Sequence, residues 1–430
     1  MKKEKTRPWP SRKGFVTNYP HFRKWKKAPP PEMSGTGPVH IYLHIPFCIQ
    51  RCAYCYYSAV PLKEAGGAKE LGEYVDALRR EIKTASRRFH LRERPVASIY
   101  FGGGTPTVMN EGHFSRIIDA LHENLDIQDP EFTVEAEPVT LARKKADFLK
   151  SVGVNRISLG VQSFCDDIIQ LCGRLDTAEK ALRAVEIASQ TGAVVNIDLL
   201  SGLAGETMNS WSHTLEQALL TGAESVTVYK MELHANTAYY RKIRAGAIQI
   251  PSDDEELEFM RHALGRFEEK NYLPWSFFTF TQNGRHENIY ASGIWRGEDC
   301  HAFGVSGFGG MGEWLFQNTS DRKKYLALAG AGEIPIQRGH RMTGKDRMIR
   351  DVLLCMKLTR LDMRNFEDRH GLSLESLCPK ALEELEDEGF IRLENSHIEM
   401  TRKGILYGDH TGKRLAAPLM ELDSNSPQTQ

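Results

Sequence analysis

A chain of 430 residues, 41% hydrophobic and 26% charged, is long enough for one large core domain and an appendage, and its zero formal net charge gives no electrostatic case for a nucleic-acid partner. Its eight cysteines lack the pattern of a secreted disulfide framework, and no apolar run reaches the length of a membrane span or of a signal-peptide core. A cytoplasmic protein with no membrane and no nucleic-acid partner is expected.

The first 30 residues carry ten Lys or Arg against one acid, Glu4, and read as a solvated basic arm. Aromatic residues stand among the charges in the stretch 14–22, at Phe15, Tyr19 and Phe22. From Pro38 the pattern alternates between strand and helix. Apolar strand-like runs occur at 39–45, 96–101, 132–136, 154–160, 194–200 and 225–229. The helical stretch 71–85 places Leu71, Val75, Leu78 and Ile82 on one stripe. Such alternation predicts an α/β fold with a parallel sheet, and its six units fall short of the eight that close a standard barrel. An open doubly wound sheet would give the same local pattern.

The first strand runs directly into Cys48, Cys52 and Cys55, spaced C-x3-C-x2-C. Iron–sulfur clusters are held by cysteine thiolates, and three thiolates on a cubane of four irons leave one iron open to a ligand. A structural zinc site or a chance grouping of buried thiols are the alternatives that spacing alone leaves open. Active sites on parallel strands gather at the carboxyl ends. The candidates there are Gly103, Gly104 and Thr105 after the second strand, Glu135 on the third, Gln162 after the fourth, Arg174 beyond it and Asp198 on the fifth. Each taken singly is as well explained by a turn, a strand end or a helix cap.

Tyr42-Leu43-His44-Ile45-Pro46-Phe47-Cys48 with the two further cysteines resembles the signature of the radical S-adenosylmethionine (SAM) superfamily. It is most similar to the oxygen-independent coproporphyrinogen III oxidase (HemN-like) branch. The resemblance implies a partial (βα)6 barrel with a C-terminal α+β, winged-helix-like region, and an N-terminal segment folded over the barrel mouth. It implies a 4Fe-4S cluster on Cys48, Cys52 and Cys55, with SAM chelated by the open iron and cleaved to a 5'-deoxyadenosyl radical. Carried over residue by residue, Tyr42, Gly103, Gly104, Thr105, Glu135, Gln162, Arg174 and Asp198 match SAM-contacting positions, Tyr54 matches an aromatic over the adenine, and Phe308 falls near a further contact. Retention of Gln162, Arg174 and Asp198 implies a second SAM molecule. Glu232 stands where the family has a small residue, so that contact is not carried over.

The expected division is a basic arm at 1–37, a core barrel at 38–250, a C-terminal domain at 251–415 and a flexible tail at 416–430. Within the third part, 373–389 reads as helix, and 390–393 with 398–401 as a β-hairpin. The oxidases carry another cysteine two residues after the third cluster cysteine, and here that position is Tyr57. This departure points away from coproporphyrinogen decarboxylation. The resemblance implies a coproporphyrinogen dehydrogenase-like oxidoreductase or a class C-type methyltransferase, acting on a tetrapyrrole or adding a SAM-derived carbon to a conjugated natural product. A reducing donor such as flavodoxin or ferredoxin is the implied partner. The alternative from another class is a non-catalytic haem-binding carrier or chaperone of the same fold.

Overall fold

The computed structural model describes residues 14–30 and 32–422; the expected arm before residue 14 and the end of the tail lie outside the described residues. All six expected strands form: β1 (Val39–Ile45), β2 (Val96–Gly103), β3 (Glu131–Ala136), β4 (Arg156–Gln162), β5 (Val194–Ser201) and β6 (Ser225–Lys230). They pair in parallel in that order. Their apolar residues run nearly unbroken because helices cover one face and the interior packs against the other, as in β1, where only Tyr42 escapes full burial. The crossover helices are α1 (Gly67–Arg88), α2 (Glu111–Asn124), α3 (Arg143–Ser151), α4 (Asp166–Leu171), α5 (Ala178–Ser189) and α6 (Met208–Leu220), and α7 (Ala238–Arg244) follows β6. The anticipated stripe on α1 is buried in full. Each such Leu, Ile or Val contributes about 1.5–3 kcal/mol relative to exposure.

The sheet does not end at residue 250. Tyr272–Ser276 (β7) and Thr279–Gln282 (β8) form a hairpin that joins antiparallel to β6. Cys300–Phe303 (β9) pairs in parallel with the other edge of β1, and Phe308–Met311 (β10), Trp314–Asn318 (β11) and Ile336–Arg341 (β12) extend it antiparallel. The result is one twelve-stranded sheet in the order β12-β11-β10-β9-β1-β2-β3-β4-β5-β6-β8-β7. Strands from both sides of the expected boundary therefore share a single core. Buried Glu81 of α1 binds this extension by accepting from Gly304 N (2.8 Å), Asn318 Nδ2 (2.6 Å) and the Tyr325 hydroxyl (2.6 Å).

The C-terminal region is α+β. His397–Met400 lies between Arg360–Asp362 and Ile391–Glu394 in a three-stranded sheet, one strand more than the hairpin read from sequence. The helix expected over 373–389 is two, Leu374–Leu377 and Pro379–Asp387. Pro379 lacks an N–H to continue the first helix and suits the first position of the second.

Candidate active site

The cysteine loop is closed at its base and tethered in its middle. Phe47–Cys48 pairs in parallel with Val60–Pro61. Ala53 N donates to Cys172 O (2.9 Å) just past α4, and Ala53 O accepts from Tyr239 N (2.9 Å) in α7. Gln50 Nε2 adds a bond to Gly173 O at 2.7 Å. So held, Cys48, Cys52 and Cys55 line one cavity of about 400 Å³ at the carboxyl ends of the strands. Burial pushes the Cys48 thiol up to about 12 and that of Cys52 to about 11, with the Arg174 guanidinium opposing the rise at Cys52.

The glycine run faces this loop. Gly104 N donates to Ile45 O and Thr105 N to Phe47 O, both at 2.8 Å. A Cβ on Gly104 would lie 2.6 Å from Phe47 O, and Gly103 adopts φ +110°, so both positions demand glycine. Glu135 is anchored to the same run: one oxygen accepts from Gly103 N (3.0 Å) and the other from the Tyr100 hydroxyl (2.8 Å). Burial raises its carboxyl to about 7. Tyr42 stacks on Tyr100 with centroids 5.9 Å apart, and its hydroxyl lies 3.2 Å from His44 Nδ1.

Arg174 is buried beside the loop. Its Nη2 lies 2.6 Å from Asp176 Oδ2 and donates to Gly160 O at 2.7 Å. Its Nη1 is 3.5 Å from Cys52 Sγ, 3.4 Å from the Tyr54 hydroxyl and 3.6 Å from Glu137 Oε1. Asp198 accepts from Ser158 Oγ and from Asn196 Nδ2, both at 2.8 Å, and burial raises its carboxyl to about 6. Gln162 occupies φ +70° where the β4–β5 register slips. A strained non-glycine residue of this kind costs on the order of 1–3 kcal/mol, and such positions cluster at functional sites.

Tyr42, Tyr54, Gly103, Gly104, Glu135, Gln162, Arg174 and Asp198 thus line the cavity with the three cysteines. Two expected residues do not. Thr105 is buried behind the glycine turn, and Phe308 packs under Phe22 and Trp25, with centroids 5.7 and 5.5 Å away. Other wall residues, Asp409 among them, carried no signal in the sequence, and Glu232 was set aside as a contact. Glu232 accepts from Phe15 N (2.8 Å) and Gly14 N (3.2 Å), and Asp409 accepts from Val16 N (2.7 Å), so two distant carboxylates strap the segment 14–16 across the mouth. The contacts span more than 200 residues of chain, beyond any local pattern.

Comparison with known proteins gives this geometry a family. Residues 42–218 match the radical SAM superfamily model, and residues 342–407 match the HemN C-terminal domain. The structure superimposes on coproporphyrinogen III oxidase (HemN) from Escherichia coli with a TM-score of 0.79 and 25% identity, over 94% of this chain and 96% of that one. The chain carries a radical SAM domain followed by a HemN C-terminal domain. This radical SAM protein is 28% identical over 373 residues to the heme chaperone HemW of Bacillus subtilis (strain 168), covering 86% of this chain and 96% of that protein. It is also 28% identical over 390 residues to the oxygen-independent coproporphyrinogen III oxidase of Pseudomonas aeruginosa, covering 86% and 83%.

Radical SAM proteins use a 4Fe-4S cluster and SAM, and the residues of this HemN-like chain fit both. Three thiols open to one space, a guanidinium faces one of them, and iron held there would displace the thiol protons that burial retains. Among the described residues no His, Cys, Asp or Glu group closes to the size of a single metal ion. Beside the thiols Glu135, held by Gly103 N, is a hydrogen-bond acceptor for an ammonium or hydroxyl.

Proposed function

We propose that this protein is a cytoplasmic radical SAM enzyme that acts on a tetrapyrrole or transfers a SAM-derived one-carbon unit to a conjugated substrate. The carrying observation is the convergence of Cys48, Cys52 and Cys55 with the strand-end polar residues on one cavity. A 4Fe-4S cluster on the three thiolates, with SAM beside it, would supply one-electron cleavage of SAM, with flavodoxin or ferredoxin as the class of donor. The chain's own residues do the rest. Glu135, fixed by Gly103 and Tyr100, accepts the SAM ammonium, and Tyr54 covers the adenine. Gln162, Arg174 and Asp198 bind a second SAM. The 14–16 strap excludes water from the chamber.

Tyr57 in place of the oxidase cysteine favours one-carbon transfer. Reconstituted enzyme should fail to make protoporphyrinogen IX from coproporphyrinogen III, and with its own substrate it should form S-adenosylhomocysteine together with 5'-deoxyadenosine. Protoporphyrinogen IX formed at the rate of an authentic oxidase would return the reaction to tetrapyrrole oxidation.

A second reading is a haem carrier, favoured by the full-length similarity to a heme chaperone. A carrier would bind haem and yield no 5'-deoxyadenosine from SAM under reducing conditions.

A further inference from the structure

Aromatic rings form part of the cavity wall. Tyr57 is 53% exposed, and its ring stacks on Tyr56 with centroids 4.5 Å apart; Tyr56 stacks in turn on His234 at 4.1 Å. Both tyrosines line the cavity, as do Tyr229, Phe278 and Phe15. Phe278 lies 5.4 Å from Tyr229 and 5.4 Å from Phe15, so these rings form a second continuous wall. Flat apolar faces in one chamber suit a flat conjugated molecule.

The charged groups along the lining are engaged within the protein. Glu232 and Asp409 hold the strap, and Asp409 also pairs with buried Lys357 at 2.9 Å. Lys230 lies 3.4 Å from Asp253 and 3.3 Å from Glu256. Arg174, also on the lining, is joined to Asp176. Among the described residues, Arg51 is the lining cation that forms no ion pair. A carboxylate enclosed without a cation or several donors is strongly disfavoured.

We propose that this aromatic wall binds a planar aromatic substrate bearing at most one acidic group, with its ring on Tyr57 and that acid met by Arg51. The inference rests on the enzymatic reading above and narrows it: a tetracarboxylate such as coproporphyrin III finds one free cation. Tyr57 is then a specificity residue, occupying with a ring the place where the oxidases carry a thiol.

The test uses the full chain with its cluster reconstituted and SAM present, without reductant, so that binding is read apart from turnover. The probes are 1-pyrenebutyrate, flat with one carboxylate, followed by fluorescence anisotropy, and coproporphyrin III as competitor. Pyrenebutyrate should bind saturably. Tyr57→Ala should weaken it about tenfold, equivalent to about 1.4 kcal/mol, and Tyr57→Phe should stay within about twofold. Arg51→Ala should weaken pyrenebutyrate several-fold and leave uncharged pyrenemethanol unaffected. Coproporphyrin III should not displace the probe. Iron content and melting temperature are checked for each variant; Tyr57→Leu, which keeps bulk and removes the ring, replaces Tyr57→Ala if the latter loses iron. Displacement by coproporphyrin III at concentrations equal to the probe, or wild-type affinity in the ring-deleted variant, would overturn the proposal. Failure of SAM cleavage with this binding pattern intact would instead count against the enzymatic reading alone.

Discussion

Arg174 Nη1 lies 3.5 Å from Cys52 Sγ, which places a fixed positive charge against one of the three thiols of the site. Sequence likeness assigned Arg174 to a second SAM, and the structure shows a residue with several tasks. Asp176 takes Nε and Nη2, Gly160 O takes another Nη2 hydrogen, and Nη1 spans the thiol, the Tyr54 hydroxyl and Glu137. A positive charge there favours the thiolate that a cluster requires.

Arg174→Ala should therefore cost more than a ligand contact. It leaves Asp176, 3% exposed, without its cation, and breaking a buried pair from one side costs about 3–5 kcal/mol. Denaturant unfolding should show that loss, and iron per chain after reconstitution should fall. Arg174→Lys keeps the charge but not the fork, so it should fall between wild type and Ala on both measures. Wild-type stability and iron content in Arg174→Ala would show that Asp176 and Cys52 do not depend on it.

Gly104→Ala tests the contact between the glycine turn and the cysteine loop. The new Cβ would stand 2.6 Å from Phe47 O and 2.8 Å from Ile45 O, both backbone atoms that move only if the loop moves. Overpacking of this kind costs about 1–3 kcal/mol. The variant should also take up several-fold less iron. Gly112→Ala, on an exposed helix where the nearest atom to a new Cβ is 3.5 Å away, is the control expected to keep wild-type iron. Full iron in Gly104→Ala would separate turn and loop.

The six barrel strands were legible because each is a run of apolar residues closed by glycine or a polar group, and the cysteine spacing is equally local. β9 was not. Cys300-His301-Ala302-Phe303 is four residues with no period to read, and its place beside β1 is fixed by partners some 260 positions away. Phe308 was carried to the site by the family resemblance, whereas Phe22 and Trp25 of the N-terminal segment pack on its ring. The resemblance implied a segment over the mouth, but its anchors are legible only in three dimensions, because Glu232 and Asp409 act on backbone N–H groups and leave no side-chain pattern.

Glu81 gives the fold a pH dependence of known sign. Burial raises its carboxyl to about 7 from 4.5. Between those values the folded chain retains a proton that the unfolded chain has released. The stabilisation is complete below pH 4.5 and is lost as pH rises to 7, by about 3 kcal/mol in total. Chemical denaturation at pH 5 and pH 7.5 should resolve this loss in the wild type. Glu81→Gln should reduce the slope by that amount, whatever the amide's own mismatch with three donors costs at both pH values. An unchanged slope in the variant would remove Glu81 as its source.

The central claim is that Cys48, Cys52 and Cys55 hold a cluster that cleaves SAM. The most direct measurement is 5'-deoxyadenosine, quantified by mass spectrometry after anaerobic reconstitution and reduction with dithionite, in the wild type and in a Cys48→Ala/Cys52→Ala/Cys55→Ala variant, with iron counted in both. The account predicts four irons per chain and 5'-deoxyadenosine in the wild type, and neither in the variant. Four irons surviving in the variant, or a fully loaded wild type that produces no 5'-deoxyadenosine, would contradict it.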